Sequence, residues 1–309
     1  MAKIFKKNLK ALTEEAYMLQ ETLFHNANGY IGVRGSLEEG VPDSWNSMRG
    51  TYINGFYDIV DMKQAENLCN FIEEKETMLN IADTQTIKLG VNGEEFSLLS
   101  GEIVKCTRSL DRDQGITLRN VIWKSPKGDK VSVEIKRMTS FEELSLFTVE
   151  YTVTAMNRDV ELSFSSRHIP EVKNYSDPKD PRLAAHSPKF ISLIDSGILE
   201  GTSYALCETS RSKHKCCSVV SHAISDRKAR LCTLNCEDGS MSCDVACDVR
   251  KGDSVSLIKY CIFTDSLRCS DPLEAAKEKM AAVLSRGIAY YYDKQKAYLA
   301  DFWKNSMLE

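Results

Sequence analysis

Cys232, Cys236, Cys243 and Cys247 have the paired spacing of a zinc site, in which thiolates would hold the ion at about 2.3 Å. Their surroundings favour strands instead. Cys232, Leu234 and Cys236 alternate with polar residues, as do Met241, Cys243, Val245, Cys247 and Val249, and Glu237-Asp238-Gly239-Ser240 supplies turn chemistry between them. Residues four apart on a strand stand about 13 Å from each other, too far to share one ion. The four are expected as small core residues of a hairpin, and if Cys236 lies opposite Cys243 then Cys232 lies opposite Cys247; no metal is expected. Paired carboxylates could do acid–base work, and Glu38-Glu39, Glu73-Glu74 and Glu142-Glu143 are the candidates. Neighbouring acids point to opposite faces of a strand and are solvated in loops, so none is expected to form a catalytic dyad. His25, His168, His186, His214 and His222 show no helical ligand spacing and read as structural or surface residues. Gly32-x-x-Gly35 is followed neither by Gly-Lys-Ser/Thr nor by a strong helix, and no Gly-x-Ser-x-Gly elbow occurs. Lys213-His214-Lys215 and Arg227-Lys228 are short charge runs expected in solvated loops.

What remains is a block of glycines and aromatics: Asn28-Gly29-Tyr30-Ile31-Gly32-Val33-Arg34-Gly35, then Gly50-Thr51-Tyr52-Ile53-Asn54-Gly55-Phe56-Tyr57-Asp58. Glycine suits backbone that takes positive φ or presses closely against a neighbour. The mixture fits a loop-edged strand pair that presents rings to a ligand or to another domain.

The elements that would position this block are mostly strands. Ile87, Leu89 and Val91 alternate, and Asn92-Gly93 is the favoured two-residue hairpin turn before Phe96 and Leu98. Val131, Val133 and Ile135 alternate, as do Phe147 to Val153, Val160 to Phe164, and the residues after Lys251-Gly252-Asp253. Closely spaced short strands without intervening helices predict a large antiparallel sandwich rather than a parallel α/β sheet. The pattern changes at Ser270: Asp271 can cap a helix, Pro272 fits its first position and Glu274 the capping box. Leu273, Ala276, Met280, Val283, Leu284 and Ile288 follow helical spacing, and Arg286-Gly287 suggests a stop. A second helical stretch carries Tyr291, Tyr298 and Phe302 on one side with Leu299 and Trp303 beside them, an aromatic stripe expected to pack on a surface outside these residues.

Composition bounds the function classes. With 309 residues, 42% hydrophobic and 27% charged, the chain suits one large β domain or two ordinary ones. A net charge of −4 and a pI near 5.9 argue against a general nucleic-acid binder. Eleven cysteines, an odd number, with no signal-like apolar run after Lys3, Lys6, Lys7 and Lys10, argue against a secreted disulfide framework. No long apolar run spans a membrane, and a cytoplasmic location is the expectation.

Along nearly its whole length the chain resembles the N-terminal domain of the family 65 glycoside hydrolases and phosphorylases, the group that contains maltose, trehalose and kojibiose phosphorylases. The resemblance is carried by Glu21-x-x-Phe24 and the Asn28–Gly35 block, then by Gly50-Thr51-Tyr52, Leu110-Asp111 ahead of the strand of Trp123, Arg137 with Ser140, Asp180-Pro181-Arg182, Glu208-Thr209, and Phe302-Trp303 with Asn305-Ser306. It implies a mainly β chain: a large super-β-sandwich over residues 1–268, and a helical linker over 269–309 leading to an (α/α)6 catalytic barrel outside these residues. The barrel would carry the general acid and the phosphate site, so no residue of this chain matches the general acid, and the isolated chain is expected to be inactive. No cofactor is implied, only inorganic phosphate as co-substrate of the full-length enzyme, which would convert an alpha-glucoside disaccharide to beta-glucose 1-phosphate with inversion. The partners implied are the barrel, disaccharide alpha-glucosides and a second copy in a homodimer. The domain would shape the active-site entrance, with Arg34, Tyr52, Asn54 and Tyr57 on the surface facing the barrel. The alternative from the residues is a stand-alone carbohydrate-binding sandwich using Trp45 or Trp123 as a stacking platform; Trp123 alternates within a strand and is expected buried, which leaves Trp45 in its loop. Linkage specificity in this family lies in barrel loops, so the disaccharide is not named by these residues.

Overall fold

A computed structural model describes residues 4–8, 12–61, 72–177, 189–225 and 231–306. Asp180, Pro181, Arg182, His186, Arg227 and Lys228 lie outside them, as does the side chain of Cys232. The chain opens with β1 (Ile4–Asn8), α1 (Glu14–Leu23), β2 (Asn26–Ala27), β3 (Ile31–Val33) and β4 (Thr51–Ile53). Next come β5 (Tyr57–Asp61), β6 (Glu74–Met78), β7 (Ile87–Val91), β8 (Glu94–Glu95), β9 (Glu102–Asp111) and β10 (Ile116–Lys124). They are followed by β11 (Lys130–Thr139), β12 (Leu146–Ala155), β13 (Val160–His168), β14 (Ile191–Leu199) and β15 (Thr202–Thr209). Then β16 (Lys215–Ile224), β17 (Leu231–Glu237), β18 (Ser240–Val249) and β19 (Ser254–Asp265) lead to α2 (Pro272–Lys304).

The strands form two large antiparallel sheets. One has nine strands in the order β1-β9-β10-β11-β12-β19-β16-β15-β14, and the other has five in the order β17-β18-β13-β7-β8. Alternation along each strand sends one row of side chains inward. Trp123, Val133, Tyr151 and Leu257 of the larger sheet thereby meet Leu89, Leu162, Phe164 and Val245 of the smaller. Tyr151 and Phe164 pack edge to face with ring centroids 5.8 Å apart, and Phe96 and Trp123 do so at 5.5 Å. Each large apolar side chain so buried contributes about 1.5–3 kcal/mol over its exposed state. The fold is the mainly β antiparallel sandwich that the alternation predicts.

The outer face of the nine-stranded sheet is not left to solvent. Ile116, Met138, Leu146, Val219 and Ile262 form a second core with Ala276, Met280, Val283 and Tyr291 of α2. Asp271 caps this helix, its Oδ1 accepting from the Leu273 and Glu274 N–H groups at 3.1 Å each, with Pro272 in the first turn. Gly287 interrupts it at φ 76°, ψ 165°, a conformation open essentially to glycine alone. The expectation that the last helix packs on a surface outside these residues is corrected: the sheet is its partner. The stripe is corrected too. Tyr291, Gln295 and Leu299 are the buried row, at spacing four, whereas Tyr298 and Phe302 are half exposed. The polar member belongs there because Gln295 bridges strands, Nε2 donating to the Gly115 and Thr139 carbonyls while Oε1 accepts from the Phe141 N–H at 2.8 Å.

The cysteine hairpin exists, but in a different register. Glu237 pairs with Ser240 across a two-residue Asp238-Gly239 turn, both at positive φ, so Cys236 faces Met241, Leu234 faces Cys243 and Cys232 faces Val245. Cys243 and Cys247 are core residues, whereas Cys236 is exposed on the edge strand. The tighter turn shifts the partner by two positions, which preserves the face and changes every pair.

Candidate functional site

The glycine-aromatic block folds into a cap over one end of the sandwich. It comprises α1, the three-stranded sheet β2-β3-β4, and the loop from Arg34 to Gly50. Sequence periodicity does not announce α1, because its buried face is Tyr17, Gln20 and Glu21 rather than an apolar stripe. Thr13 caps it by accepting from the Ala16 N–H. The Glu21 carboxylate, fully buried, accepts from the Tyr17 hydroxyl at 2.6 Å, the Ser36 and Ser47 hydroxyls at 2.6 and 2.8 Å, and the Met48 N–H at 2.8 Å. One carboxylate thus ties the helix to both ends of the loop.

The underside of the loop is an ionic layer. Glu38 and Glu39 both receive Arg119 of β10: Nη2 donates to Glu38 at 2.7 Å, and Nη1 and Nη2 fork onto Glu39 at 2.7 and 2.5 Å. The reading of this pair as solvated loop acids is therefore overturned; both are buried, at 2% and 8% exposure. Arg137 of β11 donates to the Ser36 carbonyl at 3.1 Å and to Gln85, and Arg108 of β9 donates to the Gly35 carbonyl at 2.8 Å. Arg49 forks onto Asp83 at 2.9 and 3.0 Å. Burial alone would raise the Asp83 carboxyl, but Arg49 and the donors of Thr86 and Gln85 outweigh it and hold the group at about 2. Burial likewise opposes ionisation of Glu38, and Arg119, Arg137 and Arg108 pull its pKa below the ordinary value.

The sequence-selected residues are distributed over this cap. Gly32 lies opposite Tyr52, and the Arg34 N–H donates to the Gly50 carbonyl, so Arg34 and Tyr52 share the outer face of the small sheet while Ile31, Val33 and Ile53 fill the core beneath. Arg34 Nη2 donates to Thr22 Oγ1 at 2.8 Å, and its Nε is buried without a hydrogen-bond partner among the described residues. The Tyr52 ring lies over Gly50, where a Cβ would come within 2.6 Å of the Tyr52 hydroxyl. Burial raises the Tyr52 phenol pKa, and Arg34 opposes this. Asn54 is exposed; its Nδ2 donates to the Gly29 carbonyl, and its own carbonyl accepts from Arg268 Nη2 at 2.5 Å. Trp45 is half-buried, its ring 6.4 Å from that of Tyr17. Tyr57 lies apart from these, half-buried on β5 of the two-stranded sheet, where its carbonyl accepts from the Ser212 hydroxyl. Trp123 is fully buried, its indole N–H donating to the Ser100 carbonyl at 2.7 Å, so it offers no platform to a ligand.

Tyr30 of the glycine-aromatic block belongs to a cluster that spacing along the chain does not signal, because its partners come from the distant end of β19 and the turn after it. Tyr30 donates to Asp265 Oδ2 at 2.8 Å, and Arg268 pairs with the same carboxylate at 2.9 Å while lying 4.8 Å over the Tyr30 ring. Burial, then Asp265, raises the Tyr30 phenol pKa. These groups border a hollow of about 320 Å³ with Glu143, Ser145 and Lys279, but its charges are already paired, Glu143 with Lys279 at 2.7 Å and Asp265 with Arg268. A larger hollow of about 420 Å³ lies on the far face between α2 and Leu199 to Tyr204, remote from the cap. Of the other acid pairs, Glu142 accepts from Tyr290 and Glu74 from Arg211, while Glu73 is exposed. His168 is buried between the Ser203 and Ser218 hydroxyls, and His222 meets Ser166. Among the described residues no three His, Cys, Asp or Glu side chains converge as a metal site.

The comparisons with known proteins bear on this arrangement. The profile of "Glycosyl hydrolase family 65, N-terminal domain" matches residues 10–302. An alpha,alpha-trehalose phosphorylase of Geobacillus stearothermophilus is 32% identical over 94% of this chain and 38% of its own length. That of Thermoanaerobacter brockii is 33% identical over 93% of this chain and 38% of its own length. A human-microbiome protein assigned as a kojibiose phosphorylase superposes with a TM-score of 0.82 over 97% of this chain and 38% of that one; at 14% identity this shows the shared fold. The chain thus spans about two fifths of the length of the curated relatives it matches.

Proposed function

Because the chain belongs to glycoside hydrolase family 65, as its N-terminal domain, we propose that it is the accessory domain of an inverting disaccharide phosphorylase and that chemistry resides in a barrel elsewhere in the same polypeptide. The observation that carries this reading is the burial of Glu38 and Glu39 on Arg119. An inverting glycosidase needs one carboxylic acid to protonate the leaving oxygen and room on the opposite face for the attacking group, with carboxyl groups about 6.5–9.5 Å apart when water attacks. Phosphate would replace that water and its base. Carboxylates sealed under a loop and engaged by a guanidinium have no sugar within reach to which a proton could be given.

On this reading the cap is a joint. Arg34, Tyr52 and Asn54 form its outer surface, with Trp45 on the same loop and Tyr57 at its margin, and they meet the barrel or the sugar at the active-site entrance. Residues 1–268 act as the sandwich unit and 269–309 as the linker. The linkage of the alpha-glucoside is set by the barrel, inorganic phosphate is the co-substrate, and a homodimer is formed by the complete enzyme in the cytoplasm. The test is titration calorimetry of the purified chain with maltose, trehalose and kojibiose, together with a phosphorolysis assay. No heat of binding and no glucose 1-phosphate are expected. Micromolar binding would instead make the chain a carbohydrate-binding module, and turnover by the chain alone would refute a barrel-borne mechanism.

A further inference from the structure

The helical layer on the nine-stranded sheet stops short of one edge. Ala276, Met280 and Val283 of α2 lie over β19 and β16, where Ile262 and Val219 meet them. The last two strands, β15 and β14, continue about 5 and 10 Å beyond β16, and a helix is about 10 Å across. Room for a second helix is therefore left beside α2, and Tyr204 and Leu206 of β15 are only partly buried at the margin of that core.

This strip holds the hollow of about 420 Å³ between α2 and the β14–β15 hairpin. Tyr204, Val219 and Met280 form its apolar floor, and a leucine stands on each bank, Leu199 at 50% exposure and Leu284 at 41%. The floor is held in place from below: the Tyr204 ring lies over Gly197, where a Cβ would come within 3.1 Å of it, and its hydroxyl donates to Asp195 at 3.2 Å. On the sandwich side, Leu199 pairs with Thr202 across a two-residue Glu200-Gly201 turn, both at positive φ. On the other side, Lys277, Ala281 and Leu284 are spaced to share one flank of α2. The charged side chains that line the hollow are Glu200, Glu274, Glu278 and Lys277. Lys277 is taken up locally, 3.7 Å from Glu274 and 5.8 Å over the Tyr204 ring. Glu200 on the hairpin and Glu278 on the helix have no hydrogen bond or ion pair through their side chains among the described residues.

We infer that this groove docks a basic amphipathic helix of a partner protein, laid beside α2. Its apolar row enters between Leu199 and Leu284, and lysines or arginines flanking that row meet Glu200 on one bank and Glu278 on the other. Charge complementarity on both banks selects the partner: an acidic helix would set like charges against them, and an uncharged one would leave both carboxylates unmatched. The layer selects its form. A strand added to the β14 edge would lie in the plane of the sheet and leave the hollow empty, whereas a helix completes the covering that α2 begins.

The probe is a fluorescein-labelled synthetic helix of about 18 residues, with leucines at i, i+3, i+4 and i+7 and lysines on both flanks of that row. Fluorescence anisotropy with the whole chain is expected to give a dissociation constant in the micromolar range. A peptide of the same composition with its leucines scattered around the helix should bind at least about tenfold more weakly. Leu284→Gln should weaken the probe by about tenfold, and Glu200→Gln combined with Glu278→Gln should weaken it and flatten its dependence on salt. All three positions are exposed, so these variants should keep the wild-type unfolding midpoint. Absence of binding, equal binding of the scattered peptide, or undiminished binding to the groove variants overturns the inference. The complete enzyme of the proposed function should bind the probe equally; loss of binding there would mean that the rest of its own polypeptide fills the groove, and would overturn the assignment to a partner.

Discussion

Gly35 passes so close to Phe24 that a Cβ added to it would lie 2.6 Å from the Phe24 carbonyl oxygen, while the Gly35 N–H donates to the Glu21 carbonyl at 2.8 Å. Its carbonyl in turn receives Arg108. The last glycine of the Asn28–Gly35 block is therefore the point where the loop is threaded between α1 and the arginine row. Close approach, rather than positive φ, is what demands glycine there.

Gly35→Ala is accordingly expected to destabilise the chain by about 2–4 kcal/mol, because backbone on both sides must move. Gly32→Ala is the control. Its Cβ would meet nothing nearer than Ala27 Cβ at 3.9 Å, and a change within about 1 kcal/mol is expected. Urea unfolding of the two variants, followed by circular dichroism, distinguishes a threaded glycine from a merely permissive one.

Arg119→Met removes the partner of two buried carboxylates at once. Breaking one side of a buried ion pair costs about 3–5 kcal/mol, since the charge left behind has lost its compensation. A drop of that order in unfolding free energy is expected. A loss below about 1 kcal/mol would mean that Glu38 and Glu39 are solvated after all.

Acid should weaken the fold before the carboxylates are protonated. His168 is buried, and desolvation, with Lys259 nearby, lowers its pKa from 6.5 to about 3. Between these values the unfolded chain binds a proton that the folded chain refuses, so stability is complete above 6.5 and falls as pH drops toward 3. His222 shifts in the same direction. Urea midpoints measured from about pH 7 to about pH 4.5 should decline, and less steeply in His168→Gln, which titrates in neither state.

Lys259 provides the alkaline counterpart. It is fully buried, with Nζ donating to the Arg167 carbonyl at 2.5 Å, and burial lowers its pKa from 10.5 to about 8. Below 8 both states are protonated and the folded chain bears the full cost of burying the charge. From 8 to 10.5 the unfolded chain holds this proton and the folded chain does not, so the lysine's own contribution to stability rises with pH, against the opposite slope of buried Cys and Tyr groups whose pKa values are raised. Lys259→Met should lack the rise. A stability difference between wild type and Lys259→Met that stays constant across this window would show that the ammonium is hydrated in the folded protein.

The sandwich was legible because its strands alternate cleanly: Leu89, Val133, Leu162 and Val245 point inward as their spacing requires. The cap was legible as a special block but not as an ionic layer. Nothing local in Glu38-Glu39 signals that both acids will meet Arg119, eighty residues away, because that contact exists only once β10 is in register. For the same reason α1 was invisible: Glu21 and Gln20 occupy positions where an apolar period expects leucines. Gln295 misled in the opposite direction, since a polar residue in the inward row of α2 transferred the apparent stripe to Tyr298 and Phe302.

The three tryptophans stand in three different parts of the chain. Trp45 packs beside Tyr17 in the cap, Trp123 is sealed in the sandwich, and Trp303 anchors the end of α2 through its indole N–H to the Arg112 carbonyl at 2.9 Å. Variants retaining one indole each would therefore act as separate fluorescent reporters of cap release, core exposure and helix undocking. Their midpoints would coincide if the chain unfolds as one cooperative unit and separate if the cap or the helix opens first. The distribution of one residue type thus makes the order in which the protein comes apart a quantity that can be read optically.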